Sequence, residues 1–280
     1  MIGEASAPAS SGNLGPGFDT LALALSLRCT ATAEPSDAMT LTERASTTRL
    51  DPTDMIYRAV EMSIGEPVHV TLHNEIPRAR GLGSSSAVAA SVAGAAMKAV
   101  SADGGRERVY EIVTELEGHP DNAAATVYGG LVAASATGVK QLQLHESLLV
   151  VVGIPNANLK TVVARQSLPE TVQLDVVART LARLTFLLSG LAEGDVESLG
   201  QAGGDEVHEA PRAPLSPVTG ELIDAARRAG AAHACWSGAG PTVLAFTTSA
   251  TRGRVIGAMG GVLGTSGEVL ALNPDYDGLI

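Results

Sequence analysis

The stretch RGLGSSSAVAASVAG, residues 80–94, constrains the fold more than any other segment of the chain. Two glycines and three serines stand directly in front of a run of small residues that predicts a helix over residues 84–100. The first N–H groups of a helix lack partners within it and carry about half a positive charge, which attracts anions. The pattern is therefore typical of a loop that binds phosphate, although a close-packed buried helix also explains the alanines.

Two better-known phosphate loops do not match this segment. A Walker A loop needs a Gly-Lys pair, and the chain has none. A Rossmann fingerprint needs its glycines immediately after a strand, whereas here several residues separate the predicted strand from Gly81. A flexible linker is excluded as well, because the segment continues into a helix-forming run of Ala and Val.

Composition restricts the class of protein and of partner. The 280 residues are 45% hydrophobic but only 3% aromatic, so a core has to be built mainly from Ala, Val, Leu and Ile. The formal net charge of −11 argues against a nucleic acid or an anionic membrane surface as the main partner. The net charge does not exclude a small anionic ligand, because a few arginines can bind one locally.

The cysteines and the apolar segments indicate the compartment. Cys29 and Cys235 lie far apart, and no CxxC or Cys/His cluster indicates zinc. A reducing compartment is therefore expected rather than a disulfide framework. The opening MIGEASAPASSGN does not have the pattern of a signal peptide, and ALALSL and SLLVVVGI are too short to span a bilayer. We expect a soluble, cytoplasmic protein.

Helices and strands are predicted to mix without strict alternation, which favours the α+β class. Helices are predicted over residues 53–64, 84–100, 105–116, 121–128, 174–191 and 220–229. Strands are predicted over residues 4–9, 20–33, 67–74, 130–137, 147–154, 232–236, 242–247 and 268–272. Asp51 or Thr53 is expected to cap the first helix.

Two further segments flank the serine loop in the sequence, PASSGNLGPGFDTLALAL at residues 8–25 and SGAGPT at residues 237–242. Together with the loop they resemble the three-motif signature of the GHMP kinases, the superfamily of galactokinase, homoserine kinase and mevalonate kinase. The homoserine kinases are most similar, because EGHPDNAAATVYGGLV (117–132), TVVARQSLPE (161–170) and VHEAPRAPLSP (207–217) resemble further segments of that family. Asn13 stands where mevalonate kinases and galactokinases carry Lys or Arg.

The similarity covers almost the whole chain and implies a fold and an activity. The fold is α+β, a two-domain GHMP kinase fold with a ribosomal-protein-S5-domain-2-like, ATP-binding domain over residues 1–143 and a ferredoxin-like domain over residues 144–280. The activity is ATP-dependent phosphorylation of the side-chain hydroxyl of L-homoserine, in threonine biosynthesis. Another small-molecule kinase of the superfamily, such as an archaeal-type shikimate kinase, and a catalytically inactive binding protein are the alternatives. Dimers are common in the family, so the resemblance leaves the choice between a monomer and a homodimer open.

The resemblance also assigns the nucleotide and metal site. It places the ATP phosphates on the serine loop and on two glycines of the third motif, namely Arg80, Gly81, Leu82, Gly83, Ser84, Ser85, Ser86, Gly238 and Gly240. Mg²⁺ prefers oxygen ligands, and the resemblance assigns it to Ser85 and Glu117, with Glu115 and Glu111 as alternatives to Glu117. Asp54 stands where many relatives have Asn near the nucleoside, which leaves recognition of the base open.

Homoserine is a zwitterion with a hydroxyl tail, and its carboxylate suits the planar fork of arginine. The resemblance implies a set of substrate residues around both charges: Asn13, Asp19, His119, Asp121, Asn122, Thr161, Arg165 and Arg212. It implies a catalytic set of Asp121, Glu117 and Ser85, with the role of Asp121 as a general base left open. Gly12 and Ser10 replace the usual Ala and Thr of the first motif, and both changes are mild.

Overall fold

The computed structural model of the chain describes residues 1–135 and 137–280, and its strands form two sheets. The first sheet contains β1 (Gly3–Gly12), β2 (Leu21–Pro35), β3 (Thr40–Glu43), β4 (Ser46–Arg49), β5 (Val68–Asn74), β6 (Leu131–Ser135) and β7 (Gly138–Leu142). The second contains β8 (Leu149–Pro155), β9 (His233–Trp236), β10 (Val243–Thr247) and β11 (Gly267–Leu272). The expected α+β class is confirmed.

The helices follow the strands in a mixed order. They are α1 (Met55–Ser63), α2 (Ser84–Val100), α3 (Gly105–Glu117), α4 (Asp121–Tyr128), α5 (Thr161–Gln166), α6 (Leu174–Glu193), α7 (Val196–Gln201), α8 (Glu209–Arg212), α9 (Pro217–Arg228) and α10 (Arg252–Leu263). Among the helices of the residues described, none combines the length and the apolar character needed to cross a membrane.

The 15-residue strand β2 organises the first sheet. It pairs antiparallel with β1 along most of its length, with β6 at its start and with β5 at its end. The strand order is β4-β3-β5-β2-β6-β7, with β1 on β2 outside this path. The second sheet is antiparallel throughout, in the order β11-β8-β10-β9.

Helix α2 packs on β1 and β2 and is buried all round except at Ser85, Lys98 and Val100. Small residues allow this close approach: a Cβ on Gly3 of β1 would lie 2.2 Å from the carbonyl oxygen of Ala95. The buried-helix interpretation of the alanines is therefore correct for most of α2. Its first turn differs, because Ser85 is exposed there.

Strand β8 separates two parts of the core. Val150, Val152 and Ile154 belong to the core shared with the first sheet, whereas Val151 packs with residues of α9 and α10. Successive residues of a strand point to opposite faces, so the uninterrupted apolar run LLVVVGIP corresponds to a strand that is covered on both sides.

The structure corrects one predicted cap and adds elements that were not predicted. The carboxylate of Asp54, and not Asp51 or Thr53, caps α1 by accepting a hydrogen bond from Ile56 N at 3.0 Å. Asp51 instead accepts from Thr53 N in the turn before the helix. The side chain of each Asp accepts a hydrogen bond from the amide two residues later. From sequence, either Asp could therefore cap the helix.

Several of the unpredicted elements are polar or rich in glycine. Strands β3 and β4 consist largely of Thr and charged residues on an edge of the sheet, and helix α10 contains four glycines. β7 and the short helices α5, α7 and α8 were also not predicted. Residue 136 of the predicted strand 130–137 lies outside the described residues, and the strand over residues 131–135 is β6.

The division of the chain at residues 143 and 144 stays a prediction. The first sheet ends at Leu142 and the second begins at Leu149, on either side of that point. The last residues return to the first sheet, however: Pro274 forms a bridge with Leu25, and Ile280 N donates to the carbonyl oxygen of Ser6 at 2.9 Å.

We predict that Gly3→Ala lowers the free energy of unfolding by about 1–3 kcal/mol, the usual cost of overpacking, because the new methyl group would meet the backbone of α2. Gly257→Ala in α10 is the matched control, since open space surrounds it, and it should stabilise the protein by about 0.5–1 kcal/mol. Urea titrations of both variants check this. Equal stability of Gly3→Ala and the parent protein would contradict the close approach of α2 to β1.

Candidate active site

A cavity of about 460 Å³ lies between the two halves of the molecule. Its walls come from the first-motif loop between β1 and β2, the serine loop and the start of α2, the junction of α3 and α4, the segment around α5, Arg212 of α8 and the loop after β9. Segments far apart in sequence therefore face one another across a single space.

The serine loop presents uncapped amides to the cavity. Gly83 occupies the cap position with φ +63°, and Ala87 N makes the first bond back to its carbonyl oxygen, at 3.0 Å. The N–H groups of the three residues before Ala87 precede that bond, and glycine has no side chain to satisfy them. This end of α2 is therefore suited to bind an anion.

The three serines of the loop have different environments. The hydroxyl of Ser84 accepts from Asn74 Nδ2 at 3.0 Å, and Ser85 is exposed and lines the cavity. Ser86 is fully buried, and the described part of the cavity wall does not include it. Burial of the side chain leaves the backbone amide of Ser86 for the predicted phosphate contact, which stays a prediction.

The third motif holds the serine loop in place. Ser237 Oγ donates to Gly81 O at 2.6 Å, and a Cβ on Gly81 would lie 2.1 Å from Ser237 O. Gly238 lines the cavity, whereas a Cβ on Gly240 would lie 2.3 Å from the ring of Trp236. Gly240 packs on Trp236 and is not among the described residues of the cavity wall, and its contact with the nucleotide stays a prediction.

The first-motif loop has an unusual backbone. Asn13, Leu14 and Asp19 all have positive φ, at 69°, 54° and 50°. The side chain of Asn13 spans the turn, because its Oδ1 accepts from Asp19 N and its Nδ2 donates to Gly238 O, both at 3.0 Å. Two buried histidines also donate to this loop, His233 to Leu14 O at 3.1 Å and His208 to Gly15 O at 2.7 Å.

An acidic cluster stands between α3 and α4. His119 Nδ1 lies 2.6 Å from Asp121 Oδ1, and His119 Nε2 lies 3.6 Å from Glu117 Oε2. Asp19, His119 and Asp121 each bring one atom within 4.8 Å of the others. Burial alone would lower the pKa of His119, but its hydrogen bond to Asp121 and the two negative charges outweigh this and raise it.

Two arginines face this cluster. Arg165 on α5 forms a bidentate ion pair with Asp19, at 2.7 and 3.0 Å. Arg212 is only 2% exposed, and its Nη1 donates to Gly238 O at 3.1 Å. Burial, with the nearby charge of Arg165, lowers the pKa of Arg212 to about 10, so Arg212 is still a cation at neutral pH. The predicted carboxylate-binding and ammonium-binding residues are thus brought together.

The structure distinguishes the three glutamates considered for the metal. Glu117 ends α3 and lines the cavity. Glu115 and Glu111 are exposed and stand outside the described cavity wall, and Glu111 pairs with Arg108 at 3.1 Å. A hydroxyl from Ser85 and a carboxylate from Glu117 are hard oxygen donors of the kind that Mg²⁺ prefers.

Sequence reasoning missed several residues of the site. Lys160 lines the cavity beside Thr161, and Leu159 N donates to Ala79 O at 3.0 Å, which joins this segment to the serine loop. Arg80 binds the same segment, donating to Asn158 Oδ1 and Pro155 O. An apolar part of the wall was also not predicted; it consists of Leu41, Met55, Ile56, Pro77 and Val88.

Comparison with known proteins places these features in a family. The family described as GHMP kinases N terminal domain matches residues 54–130, and GHMP kinases C terminal matches residues 187–263. The chain is 39% identical to homoserine kinase of Moorella thermoacetica over 255 residues, which are 85% of each chain. The chain belongs to the homoserine kinase family of GHMP kinases.

Further relatives agree over nearly the full length. Homoserine kinase of Thermus thermophilus is 38% identical over 278 residues, 95% of this chain and 94% of that one. The crystal structure of homoserine kinase from Cytophaga hutchinsonii superposes with a TM-score of 0.89 at 22% identity, covering 100% of this chain and 96% of that chain. The expected GHMP kinase fold and family are therefore confirmed.

The matched GHMP segments do not contain the whole site. They include the serine loop, Asp121 and the third motif, whereas the first motif and Arg165 lie outside both. The matched segments thus cover part of the cavity wall, including His119, Asp121 and Arg212.

The His119–Asp121 pair predicts a pH dependence of stability. Because the folded pKa of His119 is raised above the ordinary 6.5, its protonated form adds stability that is complete below that value and is lost as the pH rises through the folded pKa. The stability advantage of the parent protein over His119→Gln should therefore decrease from acidic to alkaline pH, as measured by urea titrations.

Asp121→Asn provides the control for this effect. In that background, His119→Gln should remove much less of the pH dependence, because the main partner of the imidazole is already gone. A pH dependence that is the same with and without the Asp121 carboxylate would show that the pair is not its source.

Proposed function

We propose that this protein transfers the γ-phosphoryl group of ATP to the side-chain hydroxyl of L-homoserine. The hydroxyl oxygen forms a bond to the γ-phosphorus and its proton is released to solvent, while the bond from that phosphorus to the β–γ bridging oxygen breaks. ADP and O-phospho-L-homoserine then leave. The observation that carries the proposal is a single cavity lined both by an anion-binding helix start and by paired cations and carboxylates.

The nucleotide is proposed to bind along the α1 and α2 side of the cavity. The phosphates meet the amides at the start of α2, and Arg80 and Lys160 add positive charge on the same wall. The apolar wall around Met55 and Val88 suits a flat base, and Asp54 lies beside it. Since phosphoryl transfer depends mainly on positioning and neutralisation of charge, these contacts are those the reaction needs.

Ser85 and Glu117 are proposed to hold Mg²⁺. Both oxygen donors line the cavity, which fits a cation that keeps several waters and takes few protein ligands. When bound, the ion neutralises negative charge on the β- and γ-phosphates. The protein supplies the geometry, because Glu117 ends one helix and Ser85 begins another.

The amino acid is proposed to bind between the arginines and the acidic cluster. Its carboxylate contacts Arg165 and Arg212, and its ammonium group contacts Asp19 and Asp121. The existing Arg165–Asp19 pair has the same two charges as the substrate, so binding exchanges one set of ion pairs for another. We assign Asp121 to the ammonium group, since His119 already occupies one of its oxygens at 2.6 Å.

The charge pattern discriminates against the alternatives. Shikimate has a carboxylate but no ammonium group, so the Asp19 and Asp121 carboxylates would stay without a cationic partner from the substrate. A binding protein without catalytic activity would not need the two oxygen donors, Ser85 and Glu117, that are proposed to hold Mg²⁺. We propose the cytoplasm as the compartment, where the buried thiols of Cys29 and Cys235 stay reduced.

The first experiment measures ADP release from Mg·ATP with L-homoserine, shikimate, mevalonate or no acceptor. We expect turnover with homoserine alone. The truncated acceptors 4-hydroxybutyrate and 3-aminopropanol each remove one charge and should lower kcat/KM roughly ten- to a hundredfold, the effect of one lost charged hydrogen bond. Turnover with shikimate, or equal rates with 4-hydroxybutyrate and homoserine, would contradict the proposal.

Glu117→Gln tests the metal assignment. The Mg²⁺ concentration for half-maximal rate should rise at least about tenfold, since even outer partners of metal ligands change affinity that much. Glu115→Gln and Glu111→Gln are matched controls on α3 and should leave it unchanged. If either control raises the Mg²⁺ requirement and Glu117→Gln does not, the ligand has been assigned to the wrong residue.

A further inference from the structure

His208 is a fully buried histidine between two parts of the site, and the proposed reaction assigns it no role. It precedes α8 and comes four residues before Arg212. Its Nε2 lies 2.7 Å from the carbonyl oxygen of Gly15, and its Nδ1 lies 3.0 Å from Arg212 Nη1. One ring therefore connects the first-motif loop to an arginine assigned to the substrate.

The chemistry of the two partners determines the state of the ring. A carbonyl oxygen accepts hydrogen bonds and does not donate, so Nε2 has to carry the proton. A guanidinium donates and does not accept, so Nδ1 has to carry the lone pair. Both contacts exist together only in the neutral ring with the proton on Nε2.

The surroundings maintain this state. Burial and the positive charge of Arg212 lower the pKa of His208 to about 3, so the ring is neutral at physiological pH. Asp205 Oδ1 accepts from the backbone amide of His208 at 2.7 Å. Phe18 stacks on the ring at 5.4 Å between centroids, with an angle of 22° between the planes.

The direction of Arg212 depends on few contacts. Its Nη1 donates to His208 Nδ1 and to Gly238 O, and its Nε donates to Ala164 O at the long distance of 3.5 Å. Its guanidinium carbon lies 5.7 Å from the centre of the Phe18 ring. Among the described residues, His208 is the side chain that accepts a hydrogen bond from Arg212, whereas the other acceptors are backbone carbonyl oxygens.

We propose that His208 is a positioning residue that orients Arg212 toward the carboxylate of the amino-acid substrate and fixes the first-motif loop relative to it. The proposal rests on the proposed function of the site. His208 acts through its two ring nitrogens and does not touch the substrate, since the described cavity wall contains Arg212 but not His208. One ring thereby fixes the position of Arg212 relative to the first-motif loop, which carries Asn13 and Asp19.

Two near-isosteric variants separate the two contacts. The side-chain oxygen of His208→Asn lies near the position of Nδ1 and keeps an acceptor for Arg212. The amide nitrogen of His208→Gln reaches the position of Nε2 and keeps a donor for Gly15 O. We expect His208→Gln to raise the KM for homoserine roughly tenfold or more, the effect of one lost hydrogen bond to a charged group. His208→Asn should raise it much less, and the KM for ATP should change little in both.

The Tm of both variants is measured alongside the kinetics, with His73→Gln, an exposed histidine of β5, as the control. A purely structural role would lower the Tm and kcat without separating the two variants in KM for homoserine. Equal effects of Asn and Gln on that KM, or no effect of Gln, would overturn the proposal.

A measurement on the unmodified protein covers the case in which the variants do not fold. Two-bond ¹⁵N–¹H spectra of the assigned histidines report which ring nitrogen carries the proton. We expect the Nε2–H tautomer for His208 across the neutral pH range, and an Nδ1–H tautomer or a charged ring would overturn the proposal. Failure of the unmodified protein to phosphorylate homoserine would instead reject the proposed function. The tautomer would still show whether His208 makes its contacts with Arg212 and Gly15.

Discussion

The carbonyl oxygens of Leu14 and Gly15, held by two buried imidazoles from the C-terminal half, are the constraint on which the site depends. The loop around them has three non-glycine residues with positive φ, which cost of order 1 kcal/mol each and persist where the surroundings require them. His208, His233 and the carbonyl of Gly238 provide these surroundings. Contacts from the C-terminal half therefore hold the first motif in this shape.

Charge balance is the second property that spans both halves. The cavity contains carboxylates and guanidinium groups in close contact, and the Arg165–Asp19 pair neutralises the region assigned to the zwitterion. A substrate with the same two charges replaces these contacts without leaving an unpaired ion, which would be costly in a partly buried site. A chain with a formal net charge of −11 can thus bind anionic groups, because cationic side chains such as Arg80, Lys160 and Arg212 line one cavity.

Prediction from sequence succeeded where a run of adjacent residues carried a clear pattern. The strand predicted over residues 67–74 is β5, and the serine loop does open α2. It failed where two patterns overlapped, as at Asp51 and Asp54, or where polar edge strands such as β3 and β4 carry no apolar alternation. Lys160 and His208 were missed because each looks like an ordinary polar residue until its distant neighbours are known.

The sequence alone determined the family, the order of the motifs and the helix start that attracts phosphate, since each motif is a run of adjacent residues and the order of the runs is read directly along the chain. Tertiary structure decided which side chains share the cavity: it included Glu117 and excluded Glu115, buried Ser86 while exposing Ser85, and gave His208 its two partners. The physical reason is that local patterns fix backbone direction and period. Burial and hydrogen-bond partners, in contrast, depend on segments that can lie more than two hundred residues apart, such as Asn13 and Gly238, which are separated by 225 positions.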